Sequence, residues 1–268
     1  EKNRRKNHLD YYDMSLILRL IQLKHGGLPN KNGGICELDH LVIDEAQDFG
    51  PVEFAIMMDA VGDKRNLTIV GDVSQKILFS RKFIGWDNIL NNLGIKKDAL
   101  IQLEVSFRCT VPIMNLARKI EGHKDPVPFG RPGRPITWHR AVDQNDFLET
   151  LARWTDDLMK KDPHKLIALI CRYPRQAMEL KDELKEMLSH EIRVGHRDQF
   201  SFEPGIIVSN IHQIKGLEFD AVALIEPSEQ FYPGKNSESR NMIYVGVTRA
   251  QEDLLIIGSS PFSKVLLQ

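Results

Sequence analysis

Short apolar runs alternate along the chain with longer segments in which apolar residues recur with helical spacing. The short runs predict strands over residues 41–44, 67–70, 99–103, 166–171, 205–209, 221–225 and 253–257. The longer segments predict helices over residues 13–24, 52–61, 111–121, 144–161, 174–190 and 238–250. Several of the strands are apolar throughout, which is typical of parallel strands covered on both faces. The pattern therefore predicts an α/β fold with mainly parallel sheets.

Two turn-rich stretches interrupt this pattern. Residues 122–135 are rich in proline and glycine, which break helices and strands alike, and they mark either a domain boundary or a surface loop. Residues 227–239 are polar and predict an exposed loop between a strand and a helix. A chain of 268 residues is long enough for one large domain or two medium ones.

Composition excludes several classes of protein. The longest unbroken apolar run, residues 166–171, is far shorter than the ~20 residues of a membrane-spanning helix, and no apolar stretch follows the basic N-terminus as in a secretory signal. The 36 Lys and Arg residues balance 37 Asp and Glu residues, so a nucleic-acid-binding surface would have to be local. The three cysteines are isolated, which argues against disulfides and a zinc site and fits a reducing cytosol.

Two predicted strands end in residues that suit nucleotide chemistry. Residues 41–48 read LVIDEAQD, so that Asp44 and Glu45 follow an apolar strand, where open α/β sheets bind their ligands. One carboxylate suits nucleotide-bound Mg²⁺, and a neighbouring one can deprotonate a water molecule. Residues 68–75 read TIVGDVSQ, in which Gly71 allows a tight turn and Gln75 can donate to a phosphate or a water. Taken alone, each segment is also compatible with a solvated turn after a core strand.

Three later segments combine aromatic and basic residues with strand or helix ends. They read QLEVSFRCTVP over residues 102–112, IHQIKGLEFD over residues 211–220 and MIYVGVTRA over residues 242–250. In the first, Phe107 can stack on a base and Arg108 can hold a phosphate, although a buried Phe and a surface Arg would explain the pattern equally well. In the last, Arg249 can reach a phosphate from a second domain as an arginine finger does.

Together the five segments resemble the UvrD/Rep-like superfamily 1 DNA helicases. The motifs DEAQD, GDVSQ, SFRCT, IHQIKGLEFDAV and YVGVTRA follow one another in the order of that family between residues 41 and 257. The resemblance implies RecA-like P-loop NTPase lobes with mainly parallel sheets: a partial first lobe over residues 1–103 and a complete second lobe over residues 104–268. It also implies that ATP with Mg²⁺ binds in the cleft between the lobes, and that single-stranded DNA or a DNA junction binds across both.

The resemblance assigns roles to individual positions. In the nucleotide site it implies Asp44 as the Mg²⁺ ligand, Glu45 as the catalytic base and Gln75 as the γ-phosphate sensor. It implies that Phe107 stacks on the adenine, that Arg108 contacts the γ-phosphate and that Arg249 is the arginine finger. Glu218 is implied to bind the ribose, with Gly216 beside it. It places Asn210 and His212 where the family contacts the DNA backbone or couples the DNA to the ATP cleft.

The sequence departs from the family pattern in three places. It contains no Walker A motif, so the phosphate cradle is expected to come from a segment N-terminal to DEAQD that this chain lacks. The Trp that follows GDxxQ in the family is replaced by Ser80, so Phe79, or else Phe83 or Trp86, is expected to stack on DNA bases, with Arg81 beside it on the backbone. No large accessory insertion fits into the short segment between the strand at 166–171 and the motif at 211–220.

Three functions follow from these observations. The first is the C-terminal part of an ATP-dependent DNA helicase or translocase, moving 3′ to 5′ by analogy with the family and inactive without the missing segment. The second is a binding module that holds nucleic acid or protein without hydrolysis. The third is a helicase-like part of a larger repair or defence complex.

Overall fold

The computed structural model describes residues 9, 11–61, 66–72, 85–94, 96, 99–103, 106–127, 129–196 and 200–267. The chain divides into two compact units, residues 1–101 and residues 102–268. Within the described ranges, no helix is both long and apolar enough to cross a bilayer.

The first unit holds a small parallel sheet and four helical segments. Its elements are α1 Tyr11–His25, β1 Leu41–Ile43, a 3₁₀ turn Ala46–Asp48, α2 Pro51–Val61, β2 Leu67–Ile69 and α3 Trp86–Leu93. Strands β1 and β2 pair in parallel, with Leu41 opposite Leu67 and Ile43 opposite Ile69. Ile43, Ala46, Phe54 and Ile89 form the buried core beneath them. The DEAQD segment therefore leaves the sheet directly above this core.

The second unit is built around a six-stranded sheet. Its elements are α4 Val111–Glu121, β3 Thr137–Arg140, α5 Gln144–Lys161, β4 Leu166–Cys171, α6 Pro174–Leu184, β5 Ile192–Val194, β6 Gly205–Asn210, β7 Phe219–Ile225, α7 Ser237–Thr248 and β8 Ala250–Gly258. The strand order is β3-β8-β7-β4-β6-β5, and every neighbouring pair runs parallel. Because both faces are covered, all six residues of β4 are buried. The predicted α/β fold with parallel sheets is confirmed.

Some predicted elements are wrong or missing. Residues 99–103 do not form a strand: within the described ranges no strand pairs with them, and Ile101 and Leu103 are 81% and 86% exposed. The helix predicted to reach residue 190 ends at Leu184, since the chain must turn there to enter β5. Strands β3 and β5 were not predicted, because they are short edge strands without a continuous apolar run.

Candidate nucleotide site and nucleic-acid interface

Asp44 and Glu45 lie where β1 ends, as the sequence predicted. The Glu45 amide donates to Asp44 Oδ1 at 2.7 Å, and the Asp44 side chain is otherwise exposed. Glu45 has a φ of 51°, a left-handed conformation that costs energy for a residue with a Cβ and is often found at functional sites. The turn thus directs two successive carboxylates to the same strand end.

Gln47 links this turn to the next strand, a contact that the sequence analysis missed. Its side chain is completely buried, its Nε2 donates to Glu45 Oε2, and its Oε1 accepts the Asp72 amide at 2.9 Å. The sequence shows Gln47 only as an amide between the acidic residues of DEAQD, and its burial became visible in the structure. Through Gln47, the DEAQD and GDVSQ segments form one hydrogen-bonded unit.

Gly71 is required by this close approach. A Cβ at Gly71 would lie 2.6 Å from Gln47 Oε1 and 3.1 Å from the Ala46 nitrogen. The sequence suggested a tight turn at Gly71, whereas the structure shows that the residue must be small because the two motifs touch.

The remaining positions of this motif region lie outside the described residues. Gln75, Phe79 and Arg81 belong to this group, and so do Ser80 and Phe83. Trp86, the other candidate for stacking on DNA, begins α3 and packs against the core of the first unit.

In the second unit, three motifs converge around the Glu218 carboxylate. Arg108 Nε lies 2.7 Å from Glu218 Oε1, and Gln251 Nε2 donates to Glu218 Oε2 at 2.8 Å. Both carboxylate oxygens are therefore held, one by the SFRCT segment and one by the residue two positions after Arg249. Gln251 is a second residue that the sequence analysis missed, since it lies just past the recognised motif.

Arg249 lies next to this cluster and is almost completely buried. It is 1% exposed, and its guanidinium donates to the carbonyls of Leu217 at 3.0 Å and Val245 at 3.3 Å. Leu217 stands between Gly216, which has a left-handed φ of 79°, and Glu218. The parallel register that pairs Phe219 with Ala250 brings the KGLEFD and VTRA segments together.

Phe107 is strongly exposed, which excludes its interpretation as a core residue. Its side chain is 86% exposed, directly beside the Arg108 that pairs with Glu218. An aromatic ring in this position is free to stack on a planar ligand.

A second polar cluster lies at the opposite ends of the strands. Glu218 and Arg249 precede β7 and β8, so they lie at the amino ends of these strands. Arg172 follows β4 and Asn210 ends β6, so they lie at the carboxyl ends, where Cys171 pairs with Asn210. Residues 211–218 connect the carboxyl end of β6 to the amino end of β7.

Arg172 organises the cluster at the carboxyl ends. Its Nη1 lies 3.1 Å from His212 Nε2, its Nη2 lies 3.7 Å from Glu238 Oε1, and its guanidinium lies 4.8 Å from the Tyr173 ring centroid. Burial, and then the Arg172 charge, lower the pKa of His212, so the ring is neutral at pH 7 and its Nε2 accepts from Arg172. In the sequence, Arg172 is marked by its position directly after the apolar run of residues 166–171.

Asn210 serves the loop rather than the surface. It is 4% exposed, and its Oδ1 accepts the His212 amide at 3.1 Å. The structure therefore brings Asn210 and His212 together, and His212 is the more accessible of the two although its ring is partly shielded from solvent.

The donor chemistry of the first unit fits a nucleotide-bound Mg²⁺. Such an ion takes one or two carboxylates and completes its coordination with phosphate oxygens and water, so an exposed Asp44 at a strand end suits it. Among the residues that the structure describes, no group of three or more His, Cys, Asp or Glu side chains could hold a metal ion without phosphates.

Two family models match parts of the chain that carry these motifs. A family model described as the UvrD/REP helicase N-terminal domain matches residues 1–82, which include DEAQD. A model described as the UvrD-like helicase C-terminal domain matches residues 205–257, which include Glu218 and Arg249.

Several curated proteins are similar to the chain over most of its length. The ATP-dependent DNA helicase UvrD2 of Mycobacterium tuberculosis (strain ATCC 25618 / H37Rv) is 27% identical over 184 residues, covering 64% of this chain and 23% of the relative. The ATP-dependent DNA helicase PcrA of Leuconostoc citreum is 25% identical over 176 residues, covering 60% of this chain and 23% of the relative. The chain thus spans about a quarter of the length of the curated relatives it matches.

A solved structure, described as the C-terminal domain of a possible DNA helicase from Lactobacillus plantarum WCFS1, is 18% identical with a TM-score of 0.49 and covers 60% of this chain and 92% of that one. The two family models match residues 1–82 and 205–257, which include the DEAQD and KGLEFD segments, and the curated relatives are helicases. The chain belongs to the UvrD/Rep-like superfamily 1 helicases.

Proposed function

We propose that this chain is part of an ATP-dependent DNA helicase or translocase that couples ATP hydrolysis to movement along single-stranded DNA. The observation that carries the proposal is the Glu218 cluster, where the SFRCT, KGLEFD and VTRA segments meet at the amino ends of β7 and β8. Such an arrangement of guanidinium and carboxylate groups suits a nucleotide with its ribose and phosphates. The proposed direction, 3′ to 5′, rests on the family resemblance.

Each described site residue has a role in this proposal. Asp44 would hold the Mg²⁺ that accompanies ATP, and that ion would neutralise phosphate charge when bound. Glu45 would take the proton of the attacking water. Phe107 would stack on adenine, Glu218 would hold the ribose, and Arg108 would exchange its pairing with Glu218 for the γ-phosphate.

Arg249 and His212 would each act under a particular condition in this proposal. As an arginine finger, Arg249 would have to exchange its carbonyl partners for a phosphate. On the DNA side, His212 would contact the backbone with its neutral ring, positioned by Asn210.

Other parts of the proposal concern partners. The sequence contains no Walker A motif, so we propose that a further segment supplies the phosphate cradle. Gln75, Phe79 and Arg81 stay predictions for the γ-phosphate and the DNA. Other repair or defence proteins are a third class of proposed partner.

The decisive experiment measures ATP hydrolysis by the full-length protein that carries this sequence, with and without single-stranded DNA. We expect stimulation by DNA, and we expect Glu45→Gln to lower kcat by about 10²–10⁴-fold while nucleotide binding persists. Hydrolysis that Glu45→Gln leaves intact would contradict the proposal. DNA binding without any hydrolysis would instead support the binding module.

A further inference from the structure

The proline- and glycine-rich segment 122–135 contains Arg131, whose side chain reaches the Glu218 cluster. Arg131 Nη2 donates to the carbonyls of Arg108 at 3.0 Å and Gln251 at 2.6 Å. The Arg131 carbonyl accepts the Val111 amide at 2.8 Å, which attaches the segment to the start of α4. One guanidinium thus joins two main-chain positions that are far apart in the sequence.

These two positions are the ones that hold Glu218. The Arg108 side chain contacts one Glu218 oxygen at 2.7 Å, and the Gln251 side chain contacts the other at 2.8 Å. Arg131 contacts neither oxygen, but it fixes the main chain of both residues that do. A shift of either carbonyl would move a side chain that orients the carboxylate.

The Arg131 side chain is itself held in place. Its Nη1 lies 3.4 Å from Glu252 Oε1, and hydrogen bonding from Lys165 lowers the pKa of Glu252, so this partner is ionised at neutral pH. A Cβ at Gly133 would lie 2.3 Å from Thr110 Cβ, which shows how closely the segment packs against the end of the SFRCT motif. The planar guanidinium serves two carbonyls and a carboxylate from a fixed fork, a geometry that a flexible ammonium group does not reproduce.

We infer that Arg131 is a positioning residue for the nucleotide site, acting through the main chain of Arg108 and Gln251 to orient the Glu218 carboxylate. The inference rests on the proposed function, because it requires Glu218 to contact the nucleotide. It assigns a role to a segment that carries no recognised helicase motif.

Arg134 offers a matched control in the same segment. It pairs with Asp253 at 2.6 Å on the neighbouring strand β8, and the ion pair leaves it half-exposed. Substituting Arg134 therefore removes one positive charge and one ion pair from the same segment without touching the carbonyls of Arg108 or Gln251.

The test compares Arg131→Met, Arg131→Lys and Arg134→Met in the full-length protein. We expect Arg131→Met to raise the KM for ATP about tenfold and to change kcat less, since two hydrogen bonds to the site are lost. Arg131→Lys keeps the charge and most of the packing but loses the fork, so it should also raise KM by several-fold. Arg134→Met should stay within about twofold of the unmodified protein, and melting temperatures show that each variant folds.

A double-mutant cycle with Glu218→Gln separates positioning from a general structural effect. If Arg131 acts through Glu218, Arg131→Lys should change KM by less than about twofold once Glu218→Gln is present. Full additivity of the two substitutions would overturn the inference. An unchanged KM for ATP in Arg131→Lys, together with a raised KM in Glu218→Gln, would also overturn the inference but would leave the proposed function intact. An unchanged KM in Glu218→Gln would overturn both.

Discussion

At the scale of single residues, Gln47 shows how a buried amide can orient the carboxylate of Glu45, the residue we propose as catalytic base. It donates to Glu45 and accepts from the Asp72 amide, so it determines where the Glu45 carboxylate lies relative to the end of β2. A hydrogen bond to a charged group contributes about 1.5–3 kcal/mol, enough to matter for kcat if it is made in the transition state. The contact therefore gives Gln47 a role that its neighbours in the motif cannot fill.

We predict that Gln47→Met lowers the kcat of ATP hydrolysis in the full-length protein by about tenfold or more, because the carboxylate loses its donor. The KM for ATP should change much less. Gln22→Met is the control, since Gln22 is also buried in the first unit and donates to the Ile56 carbonyl at 2.9 Å, away from the site. Equal kcat values for the two variants would show that Gln47 is only structural.

His212 has a lowered pKa, and this predicts how pH affects DNA binding. Because burial and Arg172 favour the neutral ring, His212 adds no charge at pH 7 and gains one only as pH falls through the lowered pKa. Each neutralised phosphate of a single strand contributes about 0.7 to the salt slope of binding. The salt slope of single-strand binding should therefore become steeper at acidic pH.

We predict that His212→Gln leaves the salt slope of single-strand binding unchanged at pH 7. Below the lowered pKa, the unmodified protein should gain about 0.7 in slope and the variant should not. Binding titrations at several salt concentrations, at two pH values, measure both. A loss of slope in the variant at pH 7 would mean that His212 is already charged there.

At the scale of elements, α5 depends on a local cap. Asp143 is its N-cap, and its side chain accepts the Asp146 amide at 2.9 Å. The apolar face of this helix packs on the sheet of the second unit through buried residues such as Leu151 and Leu158. The cap thus stabilises an element that covers one face of the sheet.

We predict that Asp143→Ala lowers the free energy of unfolding by about 1 kcal/mol, as the loss of an N-cap side chain usually does. Glu149→Ala, at an exposed position in the middle of α5, should change it by less than about 0.5 kcal/mol. Urea denaturation of the 268-residue chain, followed by circular dichroism, compares the two. Equal effects would mean that the cap contributes nothing.

At the scale of the whole molecule, the proposed ATP hydrolysis depends on how the phosphates are held. Phosphoryl transfer depends chiefly on holding the reacting groups in place, and the sequence contains no Walker A motif to hold them. We therefore predict that the isolated 268-residue chain hydrolyses ATP negligibly, even with single-stranded DNA. A phosphate-release assay tests this, and turnover that Glu45→Gln abolishes would contradict it.

The sequence predicted most of the elements because their signals are local. Helices α4 and α5 have the predicted bounds, since each has a strong amphipathic pattern and a clear start. Residues 99–103 have the apolar composition of a strand but no partner strand in the part of the chain that the structure describes, and a sequence pattern cannot report whether a partner exists. The edge strands β3 and β5 have partners but only a weak pattern of their own.

The sequence by itself determined the α/β class and, through the order of its motifs, the family. Both follow from residues that are close together in the chain. Only the tertiary structure decided which polar groups meet: Gln47 with Asp72, Glu218 with Gln251, and Arg131 with the carbonyls of Arg108 and Gln251. These contacts join segments separated by 23 to 120 positions, because they depend on which strands lie side by side in the sheet and in what register. That information lies in the packing of the whole unit and not in any local pattern.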